Sequence, residues 1–286
     1  NKLDVVDLIR DTKAGVPAVR RANLAAEDFS IEVCGSDVPG NTLGHRANLK
    51  IQDGCDQWCA YCIVPAARGP ARSRDFDNLV EEAVSLASRG TKEIVLTGVN
   101  VCAYGNKGRT LVDVVDALDA VEGISRVRIG SIELLGVHEC LLDRMQDPLH
   151  ALVPFLHIPL QSGSNRVIAK MGRNYTAESF RDFVTSAVER VPGLCVGVDV
   201  LVGFPGETEE DFEETRKLLK ESPLAYAHVF KYSDRKGAAS ETMEGKLDAR
   251  TLHVRSERIR AISAEKRRGF HELHLGRTLN VLFEEK

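Results

Sequence analysis

The feature that most constrains this chain is a repeated alternation, starting at Leu49, of short β-branched runs with amphipathic helical segments. Leu49–Gln52, Glu93–Thr97, Arg126–Gly130, Phe155–Pro159, Leu194–Val202 and Ala225–Tyr232 read as six strands. Asp77–Ser88, Leu111–Val121, His138–Met145, Ser164–Lys170, Ala177–Glu189 and Thr208–Lys220 read as the helices between them. In the first of these, Leu79, Val80, Ala83, Val84 and Ala87 recur at helical spacing, and Gly90 stands where a helix stops. Six strands alternating with helices imply βα units and a parallel sheet. Six units are too few for a complete eight-fold barrel. The expected fold is therefore α/β, an open or partial (βα)6 barrel of the TIM type, with a doubly wound open sheet as the rival. In either, the chemistry lies beyond the carboxyl ends of the strands. Leu194–Val202 is nearly all apolar, the pattern of a strand covered on both faces. Leu252–Leu273 reads as a long basic amphipathic helix, and Arg277–Glu284 alternates like one β-strand.

Before this core, Leu3–Ile9 reads as a short helix and Ser36–Asn41 as a turn and linker, so residues 1–45 are expected to be a tail. The first residue is Asn1 and no signal-peptide pattern follows it, so the chain is expected to be a fragment or a processed product. With 43% hydrophobic and 28% charged residues the 286-residue chain has an ordinary globular composition. No run approaches the ~18 apolar residues of a membrane span. A net charge of −4 argues against gripping nucleic acid over the whole surface. The charge is uneven, however. Arg250 to Arg277 carries eight Lys/Arg against three acids, Arg68, Arg72 and Arg74 form a second basic group, and six acids lie between Glu207 and Glu214. Taken singly, such runs are most often solvated helix faces.

Seven cysteines, an odd number, three of them within eight residues, argue against a secreted disulfide framework and for reduced thiols in a cytoplasm. Cys55, Cys59 and Cys62 are spaced C-x3-C-x2-C directly after the first strand. Structural zinc sites usually take four ligands in paired arms. Three thiolates on a tight loop after a strand can hold three irons of a cubane cluster and leave the fourth iron open. The bland alternative is three unligated or zinc-bound thiols. Cys102, near the mouth of the fold, reads either as a ligand or as a small hydrophobe. Cys34, Cys140 and Cys195 read as structural or incidental.

The cysteine loop, with Tyr61 before its last cysteine, resembles the signature of the radical S-adenosylmethionine (SAM) superfamily. That resemblance implies a [4Fe–4S] cluster whose unique iron binds SAM. It also implies reductive cleavage of SAM to a 5′-deoxyadenosyl radical, chemistry that only a cofactor supplies. Further motifs sharpen the likeness. Ile63–Gly69 with Ser73-Arg74, His157–Ser164 (HIPLQSGS), Met171–Thr176 (MGRNYT) and Asp199–Thr208 (DVLVGFPGET) resemble the methylthiotransferases. These place a methylthio group on tRNA or on a ribosomal protein, and the likeness runs from about Arg46 to the end. Arg46–Cys55, Ser131–Glu133 and His228–Gly237 are most like the branch acting on N6-threonylcarbamoyladenosine next to the tRNA anticodon. The isopentenyladenosine and ribosomal-protein branches are the alternatives, with a radical SAM enzyme of another reaction type, such as a maturase, and a non-catalytic zinc-binding RNA protein beyond them.

The resemblance implies a radical SAM core over residues 46–274 and, over 275–286, the start of a truncated β-barrel RNA-binding domain. It implies a tRNA anticodon stem-loop as partner, an electron donor such as flavodoxin or ferredoxin, a monomer, a cytoplasmic location and no membrane. It also implies an auxiliary [4Fe–4S] cluster on an N-terminal domain, for which this chain has only Cys34 upstream of the loop. For SAM it points to Tyr61 stacking on or packing near the adenine, and to Thr97, Gly98 and Asn100 at the amino group, Gly98 admitting the cofactor to the backbone. It points also to Ser131, Glu133, Gln161 and Ser162 at strand ends, and to Arg173 on the carboxylate. Asp199 is an acid in an apolar strand that needs a partner. Val202–Pro205 would flank the adenine and Phe230 cover it. Arg68, Arg72, Arg74, Lys266, Arg267 and Arg268 are the candidate RNA contacts.

Overall fold

The computed structural model describes residues 28–31 and 45–283. The expected helix at Leu3–Ile9, the linker at Ser36–Asn41 and Cys34 lie outside the described residues. Six parallel strands, β1 (Arg46–Lys50), β2 (Glu93–Thr97), β3 (Arg126–Ile129), β4 (Phe155–Gln161), β5 (Cys195–Val202) and β6 (Tyr226–Lys231), follow one another in space as in sequence. Two ladders, β1-β2-β3 and β4-β5-β6, meet at a seam of isolated parallel bridges, Val127 with Leu152 and Ser131 with His157. A doubly wound sheet would reverse its order at a switch point. This one does not, so the partial (βα)6 barrel stands.

The helices are α1 (Val64–Arg68), α2 (Phe76–Ser88), α3 (Leu111–Asp119), α4 (Glu139–Gln146), α5 (Asn165–Lys170), α6 (Ala177–Arg190), α7 (Glu209–Glu221) and α8 (Ala249–Glu272). Most expected boundaries hold within a residue or two. β4 runs on past Pro159, where the register with β5 shifts, because a residue without an N–H is tolerated at a break in the ladder. α2 starts at a cap, the Asp75 carboxylate accepting from the Asn78 amide, and buries Leu79, Ala83 and Leu86. Among the described residues no helix is long and apolar enough to cross a membrane.

The core lies between the outer face of the sheet and the helices. Leu49, Ile94, Leu96, Ile158, Val196 and Val198 are fully buried there against Leu79, Val114, Phe180 and Phe212. The inner face is different. In β5, Val196, Val198, Val200 and Val202 are buried, whereas Cys195, Asp199 and Leu201 are half-exposed towards the lumen. The expectation that this strand is covered on both faces is corrected: one face packs under helices and the other lines an open barrel.

At the foot of the lumen, Glu93 of β2 has 0% of its side chain exposed. Its carboxylate accepts from Arg46 Nε of β1 (2.8 Å) and Arg126 Nε of β3 (2.6 Å), and Arg128 Nε lies 3.4 Å away. Burial pushes the Glu93 carboxyl up, but the three arginines outweigh it and hold the group below its ordinary range.

The free edge of β6 is closed by α8. Ser263 Oγ accepts from the Ala227 amide (2.9 Å) and donates to the Ala227 carbonyl (2.8 Å), satisfying edge groups that would otherwise invite another strand. The acidic and basic runs are partners as well as solvated faces: Arg255 binds Glu207 (2.6 Å) and Glu209 (2.9 Å), and Arg258 binds Glu209 (3.1 Å). Two expectations fail at the ends. Residues 277–283 form no strand, there being no neighbouring strand to pair with among the described residues. Phe29, expected in a tail, bridges to Arg74 on the core.

Glu93→Gln should lower stability to urea by about 3–5 kcal/mol, because it leaves three arginines without their buried carboxylate. The folded-state pKa of Glu93 is depressed, so its contribution is complete above the unfolded value near 4.5 and lost as pH falls through the folded value. Urea midpoints measured from pH 6 to pH 3 should therefore fall less steeply in the variant than in the parent.

Candidate functional site

The loop that carries the three cysteines begins with a short antiparallel ribbon, Gln52–Asp53 against Arg72–Ser73. Gln52 is fully buried and ties the loop to the end of β2. Its Oε1 accepts from the amides of Val99 (3.0 Å) and Asn100 (2.8 Å), and its Nε2 donates to the carbonyls of Asp53 and Gly54 (both 2.8 Å). Gly54 has φ +71°, and a Cβ there would stand 1.9 Å from the Pro70 carbonyl oxygen, so only glycine can precede Cys55.

All three thiols are free; Cys59 is buried, and Cys55 and Cys62 are half-buried. Backbone amides point at two of the sulfurs, Gln57 N at Cys55 Sγ and Val64 N at Cys62 Sγ, each 3.4 Å away. Arg173 Nη1 lies 3.4 Å from Cys59 Sγ. Burial raises the Cys55 pKa, the Gln57 amide opposes it, and the neighbouring Cys59 and Cys62 raise it further, so the Cys55 thiol resists becoming a thiolate. The Nε of Arg173 is buried without a hydrogen-bond partner. Three sulfurs on one loop, approached by two backbone N–H donors and the Arg173 guanidinium, suit an iron–sulfur cluster, whose sulfurs accept such bonds.

Arg173 has protein partners of its own. Only 4% of its side chain is exposed, and its guanidinium forms a two-pronged pair with Glu133 at the end of β3. Burial works against its charge, but Tyr175 and Glu133 keep the group protonated beyond the ordinary arginine range. Arg173 and Glu133 are therefore each other's partners and the clamp on the cysteine loop. The Tyr175 hydroxyl donates towards the carbonyls of Leu160 (2.6 Å) and Pro159 (3.1 Å) and anchors the segment to β4.

Other expected SAM contacts divide. Asn100, Ser131 and Gln161 sit at the strand ends around the mouth, Ser131 exposed and Gln161 in the left-handed region at φ +62°. A side chain rarely adopts that conformation without a local reason. Thr97 Oγ1 donates to the Leu49 carbonyl (3.3 Å) and is occupied in the sheet. Gly98 is glycine because a Cβ would meet the Gln52 side chain at 3.0 Å, and the expected cofactor approach is not the constraint that the packing reveals. Ser162 is buried and bonded to Thr215 and Ser164, so it braces α7 and does not face the mouth. Tyr61 packs on the apolar group Ala60, Val167, Met171, Phe204 and Tyr232. Phe204 is fully buried in that group, edge-on to Tyr232 at 5.9 Å, and flanks nothing in the lumen. Phe230 is 52% exposed on the inner face of β6, as a platform for a base requires.

Asp199 finds the partner its burial demanded: His157 Nε2 is 2.9 Å from its carboxylate, and His228 Nδ1 is 3.5 Å away. The Tyr226 hydroxyl lies 3.1 Å from the other ring nitrogen of His157. Sequence reasoning assigned no role to His157, His228 or Gln52. A polar residue at alternate positions of an otherwise apolar strand was the available signal.

Among the candidate RNA contacts, Arg74 is fully buried and bonded to Glu82, Asn78 and the Lys50 carbonyl, so it is structural. Arg68 and Arg72 share the Asp53 carboxylate with Lys50. Lys266 caps the end of α7, donating to the carbonyls of Lys220 (2.6 Å) and Ser222 (2.7 Å). Arg267 and Arg268 are exposed, the former over the Tyr226 ring. Cys102 donates to Asn100 Oδ1 (2.8 Å), and burial pushes its thiol up.

Residues 49–219 match the model of the radical SAM superfamily. Over 87% of its length the chain is 41% identical to the threonylcarbamoyladenosine tRNA methylthiotransferase MtaB of Bacillus subtilis (strain 168), covering 56% of that protein. It is 38% identical over 85% of its length to the protein of that name from Aquifex aeolicus (strain VF5), covering 59% of it. It is 35% identical over 85% to the tRNA-2-methylthio-N(6)-dimethylallyladenosine synthase of Zymomonas mobilis, covering 59%. The chain thus spans somewhat over half the length of these relatives. Among solved structures, the radical SAM enzyme HemN, coproporphyrinogen III oxidase of Escherichia coli, superposes with a TM-score of 0.60 at 14% identity, over 79% of this chain and 54% of that one. The methyltransferase TsrM of Kitasatospora setae superposes with 0.58 at 18% identity, over 72% and 40%. These two likenesses concern the fold. Strand order, the three-thiol loop and the family match agree: the chain belongs to the radical SAM superfamily.

Proposed function

We propose that this chain is the catalytic barrel of a tRNA methylthiotransferase that acts on N6-threonylcarbamoyladenosine beside the anticodon. The observation that carries the reading is the loop of Cys55, Cys59 and Cys62, clamped by Arg173 and Glu133 at the carboxyl ends of the strands. The relatives named for threonylcarbamoyladenosine support the substrate, whereas others at similar identity are named for dimethylallyladenosine. The second reading therefore keeps the reaction and exchanges the substrate.

In this proposal the three cysteines hold the cluster, which when bound supplies the electron that splits SAM into methionine and a 5′-deoxyadenosyl radical. The protein's part is positional. The amides of Gln57 and Val64 and the guanidinium of Arg173 donate to sulfur and stabilise its negative charge. Asn100, Ser131 and Gln161 line the mouth where SAM would lie, and Phe230 offers the base a stacking face.

Anaerobic reconstitution with iron and sulfide should give a cluster whose EPR signal changes on adding SAM, and 5′-deoxyadenosine should form with a reductant. Cys59→Ala should lose both. Bound zinc with no iron, or unchanged iron in Cys59→Ala, overturns the reading. Nucleoside mass spectrometry of anticodon loops from cells lacking the full-length protein should show the methylthio group missing from threonylcarbamoyladenosine; its loss from the dimethylallyl nucleoside would favour the second reading. Arg173→Lys should keep the cluster but make it harder to reduce, by roughly 65–130 mV for this one-electron couple, since one charge-assisted bond to sulfur is lost. An EPR redox titration of the reconstituted protein measures this.

A further inference from the structure

The foot of the barrel, at the end opposite the cysteine loop, opens into a cavity of about 690 Å³. It lies where β3, β4, β5 and β6 begin and α8 ends, with residues 279–281 along one side. Its wall is cationic. Arg126 and Arg128 of β3 and Arg267 and His271 of α8 line it, and among the described residues no Asp or Glu does. A chain of net charge −4 thus gathers three arginines on one concave surface with no acid in the same wall.

Two of the three guanidinium groups keep their donors. Arg126 gives its Nε to Glu93 (2.6 Å). Arg128 only approaches that carboxylate, at 3.4 Å, because Arg46 and Arg126 already bind it more closely. Arg128 lies over the Phe155 ring at 4.2 Å, and Arg267 lies over the Tyr226 ring at 5.5 Å. Stacking occupies the face of a guanidinium and leaves the N–H groups on its edge for another partner. No hydrogen bond ties either group to another described residue. The side chains beside them do not neutralise them. Burial pushes the Cys195 thiol up to about 11. Burial, with Cys195 and Asp199 adding to it, pushes the Tyr226 hydroxyl up to about 12. Arg128 and Arg267 oppose both shifts without reversing them, so both groups are uncharged at neutral pH.

We propose that this cavity binds a phosphate group through the free edges of Arg128 and Arg267. A phosphate presents acceptor oxygens on several sides, so two guanidinium forks bind it at once, whereas a single fork exhausts a carboxylate. Its charge also matches the surplus left at the foot, where Glu93 alone serves Arg46, Arg126 and Arg128. Two sources carry such a group: the phosphodiester backbone of an RNA, and a free phosphate or small phosphate ester. The site is separate from the cysteine loop and does not rest on the proposed function.

The test titrates inorganic phosphate into the full chain by calorimetry, with ionic strength held constant by sodium chloride. Saturable binding of one phosphate per chain is expected. Arg267→Gln, at an exposed helix position, should weaken it about 10- to 100-fold, the range for hydrogen bonds to a charged group. Arg128→Gln should do the same, with thermal melting in chloride checking that the foot stays folded. Arg250→Gln makes the same change of charge at an exposed position of α8 outside the cavity and should leave binding unaltered. The second arm measures binding of an anticodon stem-loop RNA to the same proteins. A loss of RNA affinity in Arg267→Gln but not in Arg250→Gln, with phosphate competing, marks the phosphodiester as the source. Unchanged RNA affinity beside weakened phosphate binding marks a free phosphate. Absence of saturable phosphate binding, or equal weakening by Arg250→Gln and Arg267→Gln, overturns the proposal.

Discussion

Glu93 is the constraint on which the inner face depends. A parallel barrel places alternate side chains of every strand in its lumen, and near the foot of β1, β2 and β3 those are Arg46, Glu93, Arg126 and Arg128. Three cations there would repel one another without a carboxylate between them. Glu93, on the central strand, takes a bond from each side and ties the three strands together at the end remote from the chemistry. Because one carboxylate serves three guanidinium groups, the foot keeps a surplus of positive charge. Rigidity at the base follows from the same arrangement.

The opposite end uses the same device with its parts exchanged. At the mouth Arg173 is the buried cation, with Glu133 as its carboxylate, and the pair is spread over the thiol of Cys59 and the ring of Tyr175. Gln52 completes the clamp by satisfying amides at the end of β2 and carbonyls at the start of the cysteine loop. A loop of small and polar residues around three sulfurs would otherwise be poorly packed. Side chains from the ends of β1, β3 and the segment after α5 hold it instead.

The strands and helices were legible in the sequence because each strand's helix-facing residues are aliphatic and each helix carries an apolar stripe. The three cysteines were legible because their spacing is chemically restrictive. Charged partners were not. Arg74, Arg173 and Lys266 look in sequence like arginines and lysines free to meet a ligand, yet each is taken up by groups distant in the chain or by backbone carbonyls. Tyr61 and Phe204 lie beside motif residues, and proximity in sequence did not reveal that they face the second apolar cluster. Residues 277–283 show the converse: alternation alone makes no strand without a neighbour, among the described residues, to receive its hydrogen bonds.

The seam between β3 and β4 gives the barrel a line along which its two halves are less firmly sewn together. Each half is a continuous ladder, whereas the join consists of isolated bridges, one of them between Ser131 and His157. Ser131 belongs to the mouth, and His157 holds Asp199 on the lumen face of β5. A change in the curvature of the sheet would therefore concentrate at this join, altering the width of the mouth and the placing of the His157 ring together, while the ladders on either side stay whole.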